Sequence, residues 1–479
     1  METRVTRRIA ALVFALGLAA AACSNGGGGS SSSTTDRGGR SSTTTTRAST
    51  TTTTTREQAL AAGICPIPSR GAPDVNRPHY SARVDVRPAE GEVSGDLSVT
   101  FSPDLDVTEL VFRLWPNAPR LAAAGIGIDV GPITRAGTAL PISQPDPTTV
   151  VVALPVPLAA GDSIAVTMPW RLSVPGSASD RISRTGEAMR LGSFLPLLAW
   201  QPGVGWARDP ATAGFAEAAV SPVADYDVSI TVPAGLTVLA SGSHDGAGRW
   251  RAERARDFAV SVGRFAVVTE TVGLPDPVEV TVGVHDTVGE APELYLERIV
   301  AALRHFALRY GPYPWDTFST AITPDLSGGI EFPTHVMQGP GSSGRTTPHE
   351  VAHQWFYALV GNNQGRDPFL DEGVASFAEG RFESTLDDFG ATSIPSGGID
   401  QAGRPMTFWE SHLSDYYRSV YVQGASALAA LGNPDLIDCA LRLYIADHAY
   451  QIATQADLVD SLTKVFPEAA TVLSRYGIG

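Results

Sequence analysis

The chain has 479 residues, with 50 Asp and Glu against 35 Lys and Arg, a formal charge of −15 and a sequence pI near 5.0. Lys464 is its single lysine, so neither a nucleic-acid surface nor a polybasic membrane patch is expected. The sequence holds no phosphate-binding loop, dinucleotide fingerprint or internal repeat, and its length leaves room for two compact domains beside non-globular parts.

The N-terminus is one such part. Arg4, Arg7 and Arg8 form a basic head, Ile9 to Ala22 a short apolar run, and Cys23 follows a series of alanines. Residues 1–23 read as an export leader whose apolar run is too short to span a bilayer. Cleavage before Cys23 with lipid attached to its sulfur is expected, giving a membrane-anchored protein on the extracytoplasmic face. Ala20 stands where such signals carry leucine, and plain secretion after cleavage near Ala22 is the alternative. Thr6-Arg7-Arg8 leaves general and twin-arginine export both open. Residues 24–60, dominated by Ser, Thr and Gly, cannot build a core and are expected as a disordered tether. Two cysteines remain, Cys65 and Cys439. In an exported chain an even pair invites a disulfide, two buried thiols are the other outcome, and sequence does not set their separation.

From 72 to 282 short runs alternate apolar and polar residues, as in Tyr80 to Val86, Leu97 to Phe101, Ile164 to Met168 and Val228 to Val232. Gly, Pro and Asp punctuate them, which predicts an antiparallel β-sandwich or saddle. Near residue 290 the period turns helical, with Leu294, Leu296, Ile299, Val300, Leu303 and Phe306 on one face. Helices are expected to dominate 286–479, with short strands at Phe318 to Thr323 and Ile330 to Val336, so the fold class is α+β.

His349-Glu350-Val351-Ala352-His353 carries the chemistry. On a helix the two histidines share a face and can reach one Zn²⁺, with Glu350 directed at the same site without being a ligand. Thr347 as N-cap and Pro348 at the first helical position predict that helix, and Trp355, Phe356, Leu359 and Val360 give it a face to bury. Eighteen residues on, Glu372 lies on a second helix after a turn at Gly361-Asn362-Asn363. It completes two His and one Glu, with the fourth position open to water. Glu379, seven residues further, shares the Glu372 face and is expected to orient a ligating histidine.

Upstream lies Ser327-Gly328-Gly329-Ile330-Glu331-Phe332-Pro333, and downstream Ser419-Val420-Tyr421-Val422-Gln423-Gly424. With these segments the chain resembles the M1 zinc metallopeptidases, gluzincins of the aminopeptidase N type. In that family a Gly-x-Met-Glu-Asn strand precedes HExxH, the third ligand follows in an Asn-Glu-Gly turn, and a Tyr-x-Lys-Gly helix start comes after. Tyr310-Gly311-Pro312-Tyr313-Pro314-Trp315 is also similar to the lead-in of the family's catalytic domain. Ile330, Phe332, Asp371 and Gln423 depart from the pattern, at positions that are neither ligand nor base.

The resemblance implies a β-domain ahead of a thermolysin-like catalytic domain over 286–479, here without the helical C-terminal domain of larger members. It implies one Zn²⁺ per chain on His349, His353 and Glu372, and Glu350 as general base. Tyr421 would donate to the oxyanion, with Tyr416 and Tyr417 as competitors for the role. Glu331 would read the free α-amine, while Gly328 and Gly329 would admit the substrate backbone. The function expected is hydrolysis of N-terminal peptide bonds of peptides with a free N-terminus. A zinc endopeptidase and a non-catalytic surface-binding lipoprotein are the alternatives, and the oligomeric state is not legible.

Overall fold

Alternation sets the first strand. In His79–Arg87, Tyr80, Ala82, Val84 and Val86 are buried and the residues between them face outward. The computed structural model describes residues 65, 68–214 and 220–479, all within one compact unit, Thr54–Gly479. The leader with Cys23 and the tether 24–60 lie outside the described residues.

His79–Arg87 pairs with Glu92–Phe101, and that strand with Ile164–Ser173, in a nine-stranded sheet. Two four-stranded sheets contribute to the same core, one built on Val107–Arg113 and Thr149–Leu158, the other on Ala188–Leu191 and Val260–Gly263. Val99, Phe112, Val152, Leu172, Met189 and Val262 meet there. The antiparallel expectation fails at one pair, because His79–Arg87 runs parallel to Ala224–Thr231. Parallel neighbours require a long crossover, and the strands of the smaller sheets supply it.

A five-stranded sheet supports the helices that follow. It begins with Phe265–Gly273 and Pro277–His285, inside the stretch read as sandwich. Val278, Val280, Val282 and Val284 alternate in the same way whichever sheet they join, so the pattern could not assign them. The helix Pro292–Tyr310 is the crossover between the parallel strands Pro277–His285 and Thr317–Ile322. Its buried stripe runs through Tyr295, Ile299, Leu303, Phe306 and Tyr310, while Leu294, expected on that face, is 50% exposed. Leu294 falls one position off the i, i+4 series that Tyr295 starts. The single strand expected at Ile330 to Val336 is instead a hairpin of Gly329–Phe332 and His335–Gln338.

Buried arginines join the β-rich part to the helical part. Arg256 donates to the carbonyls of Tyr357 at 3.0 Å, Leu359 at 3.3 Å and Gln451 at 2.5 Å. Burial lowers its pKa to about 10, yet the guanidinium stays charged at neutral pH with carbonyls as its acceptors. Arg190 reaches Asp325 at 2.5 Å and the Pro324 carbonyl at 2.9 Å. Cys65 and Cys439 form a disulfide with Cα atoms 5.3 Å apart, which settles the pairing left open above. Among the described residues no helix is long and apolar enough to cross a membrane.

Asp257 adjoins this junction, accepting from Ser193 Oγ at 2.6 Å and from the Phe258 N–H at 2.7 Å. Burial raises its pKa from 3.8 to about 6 in spite of those bonds. A proton held more tightly in the folded state stabilises it fully below the unfolded pKa, and that contribution is lost as pH rises through the folded pKa. From about pH 7 to pH 4 the wild type should therefore gain about 2 kcal/mol relative to Asp257→Asn. Denaturant titrations of both proteins across that range check this, and parallel stability curves would refute it.

Candidate active site

The helix carrying the first two histidines spans Thr346–Ala352. Thr347 is not its N-cap: Arg345 precedes the first turn, and the Thr347 hydroxyl instead accepts from Gln338 Nε2 at 3.1 Å. Pro348 is then the third helical residue, where no intrahelical N–H bond is lost. The helix closes at His353, so Trp355, Phe356, Leu359 and Val360 lie past its end and are buried in the turns beyond. Gly361–Asn362 forms a short strand with Ile452–Ala453 where a simple turn was expected. The second helix, Phe369–Glu383, places Asp371 and Glu372 in its first turn, where the helix dipole favours negative charge.

These two helices bring three donor atoms together. His349 Nε2 lies 3.2 Å from Glu372 Oε2 and 3.2 Å from His353 Nε2, and His353 Nε2 lies 3.4 Å from Glu372 Oε2. Donors at ordinary zinc distances in a tetrahedron stand roughly 3.3 Å apart, so this set fits a divalent ion. The rings are fixed from behind. His353 Nδ1 meets the Phe356 carbonyl at 3.1 Å, and His349 Nδ1 lies 3.3 Å from Glu379 Oε2. Both arrangements leave Nε2 directed at Glu372. Arg345 Nε in turn donates to Glu379 Oε1 at 2.5 Å. Sequence reasoning missed Arg345, whose signal was its place one helical turn before His349.

Electrostatics favour positive charge at this point. Burial would lower the His349 pKa, but bonds to Glu372 and Glu379 carry it well above the usual value. His353 is likewise raised against burial, by the charge of Glu331 and its bond to Glu372. Burial works to raise Glu372, yet the two histidines hold it below the usual carboxylate range. Asp371, fully buried, is pushed up by burial and by the charge of Glu372, and it accepts from Gln364 Nε2 at 2.9 Å.

Glu350 is 4% exposed and burial pushes its pKa up. Its Oε2 has no hydrogen-bond partner among the described residues. Glu331 stands on the strand Gly329–Phe332, and Glu331, Glu350 and His353 each offer an atom within 4.8 Å of the others. A Cβ on Gly329 would overlap the Glu350 carboxyl group, so the missing side chain of this glycine makes room for Glu350. Gly328 turns the chain at φ 84°. Tyr421 stacks on His349 with centroids 5.6 Å apart and planes at 15°. It belongs to a π-helical segment, Tyr417–Gln423, rather than to a helix start. The rings of Tyr416 and Tyr417 lie 5.8 and 4.8 Å from it. Gln423, in the place of the family's lysine, donates to the Gly398 carbonyl and accepts from the Asp400 N–H, both at 2.9 Å.

No protein-family profile matches the chain. Human aminopeptidase B is 24% identical over 430 residues, 81% of this chain and 62% of that protein. Human aminopeptidase RNPEPL1 is 26% identical over 197 residues, 33% of this chain and 26% of that protein. The chain thus spans less than two thirds of these relatives. The M1 zinc metallopeptidase of Deinococcus radiodurans superposes with a TM-score of 0.63 at 21% identity, covering 85% of this chain and 95% of that one. A mutant of that enzyme bound to a Tyr-Ser-Ala substrate gives 0.63 at 21%, covering 84% and 93%. At these identities the likeness concerns the fold. The chain shares the two-domain fold of these M1 zinc metallopeptidase structures, with a β-rich N-terminal part.

The Gly329 contact has a consequence for stability that is independent of any activity. Gly329→Ala should destabilise the chain by about 1–3 kcal/mol through overpacking, and much less in a Glu350→Ala background, where the carboxyl group is gone. Additive losses in a double-mutant denaturation cycle would refute the contact.

Proposed function

We propose that the chain is an extracytoplasmic zinc aminopeptidase, anchored through Cys23 and hydrolysing the N-terminal peptide bond of peptides with a free α-amine. The observation that carries this reading is the convergence of His349, His353 and Glu372 at tetrahedral spacing, with Glu350 and Glu331 on the adjoining side. The names of the relatives and structural neighbours point the same way. The Cys65–Cys439 disulfide supports export to an oxidising compartment. A thermolysin-like catalytic domain that includes the five-stranded sheet from Phe265 onward, following a β-domain that ends near Gly263, is part of the proposal.

His349, His353 and Glu372 would hold one zinc ion, which supplies Lewis acidity to the scissile carbonyl and lowers the pKa of the attacking water. Glu350 takes the proton of that water through its unpartnered oxygen and returns it to the leaving amine. Tyr421 donates its phenol hydrogen to the developing oxyanion. Glu331 pairs with the substrate ammonium group and so gates on a free N-terminus. Gly329–Phe332 is the edge of the five-stranded sheet, where an extended peptide can add by backbone bonds beside Gly328 and Gly329. Glu379 and Arg345 act behind His349 and hold its ring.

Aminoacyl-arylamides should be cleaved by the wild type, silenced by chelation and restored by zinc, and the Glu350→Gln variant should lose about 10²–10⁴ in kcat. N-acetylated substrates should survive. Their cleavage at equal rate would replace this reading with an endopeptidase, and no cleavage of either kind would leave a binding protein. Arg345→Ala should weaken zinc about tenfold in chelator competition, with Arg345→Lys retaining most of the affinity. Unchanged affinity would remove Arg345 from the support of the site.

A further inference from the structure

The side chain after Glu331 is anchored outside the helical part. Phe332 is fully buried and packs with Ala259, Leu326 and Met337. Its ring enters the bend that follows the strand Ala188–Leu191 in the β-rich part. A Cβ on Gly192 would overlap Phe332 Cζ and stand 2.7 Å from Cε2 and 3.0 Å from Cε1, so the ring occupies the space a larger residue would need. Arg181 lies over the same ring, 5.9 Å from its centroid, and donates to Ser193 Oγ at 3.2 Å. On the other side Gln354, next to His353, donates to the Phe332 carbonyl at 3.0 Å and accepts from the Thr334 N–H at 2.8 Å. The strand of Glu331 is thereby held between the segment of the ligating histidines and the β-rich part.

We infer that Phe332 and Gly192 are positioning residues for amine recognition: seating the Phe332 ring in the space above Gly192 fixes the depth at which Glu331 faces Glu350 and the metal ligands. Recognition of the substrate N-terminus then depends on the β-rich part as well as on the segment that carries His349 and His353. The inference rests on the aminopeptidase reading given above.

The test uses the full chain as Gly192→Ala, Phe332→Leu and the double variant, with zinc affinity, melting temperature, kcat and KM measured on one free-amine arylamide. Gly192→Ala should raise KM about tenfold, because small displacements of a recognition group are costly, with kcat within about threefold of the wild type and zinc affinity unchanged. Adding Phe332→Leu, which makes room for the new methyl group, should bring KM back to within about threefold of the wild type. An unchanged KM in folded Gly192→Ala, a KM change that tracks zinc affinity, or a double variant worse than both singles would each overturn the inference. Should Gly192→Ala fail to fold, Phe332→Leu alone decides: KM rises with kcat retained, or the inference falls. A wild type that cleaves blocked substrates equally, or none, fails the aminopeptidase reading itself, an outcome these variants do not produce.

Discussion

Two imidazoles and a carboxylate, all buried, meet at one point, and each would be costly there without the others. A buried anion or cation is tolerated only when paired or bound to a metal. Glu372 is compensated by His349 and His353, and His349 by Glu379, whose other oxygen meets Arg345 at 2.5 Å. The arrangement tolerates little drift in either helix. Gly373 and Gly424 answer that constraint, since a Cβ on Gly424 would stand 3.1 Å from the Gly373 Cα. Their lack of side chains lets the Glu372 helix rest directly on the helix that follows Tyr421.

The same constraint explains why so much of the surrounding chain is polar and buried. Gln338, Gln354, Gln364, Asn362 and Asn363 are nearly inaccessible, and several tie loops to backbone rather than to one another. Asn363 and Arg366 both reach Asp209 of the β-rich part, at 2.9 and 2.8 Å. The loop between the helices of His349 and Glu372 is thereby fastened from outside. Arg256 does similar work from below, where a Cβ on Gly361 would overlap its guanidinium.

The sequence was most legible where chemistry demands fixed spacing. The HExxH pentapeptide, the interval to Glu372 and the period-two alternation around Tyr80 and Val228 are local patterns with one structural solution each. It was least legible where tertiary contacts choose among local solutions. Thr347 reads as a cap but bonds Gln338 instead, and Leu294 loses its place in the core to Tyr295. The π-helical turn at Tyr417–Gln423 widens what reads as an ordinary helix start. Val278 to Val284 alternate as sandwich strands do, yet join the sheet below the helices. Cys65 and Cys439 are too far apart in sequence for spacing to pair them. Arg345 carried only the weak signal of its place one turn before His349, because its partner Glu379 lies 34 residues away.

The Cys65–Cys439 bond spans 374 residues. Everything described between those two positions, the β-rich part and the candidate active site alike, is therefore one closed covalent ring. A single cut by a foreign protease inside the ring opens it without releasing a fragment, and the nicked halves remain neighbours at full effective concentration. Exposed to proteases, such a molecule survives its first wound in one piece.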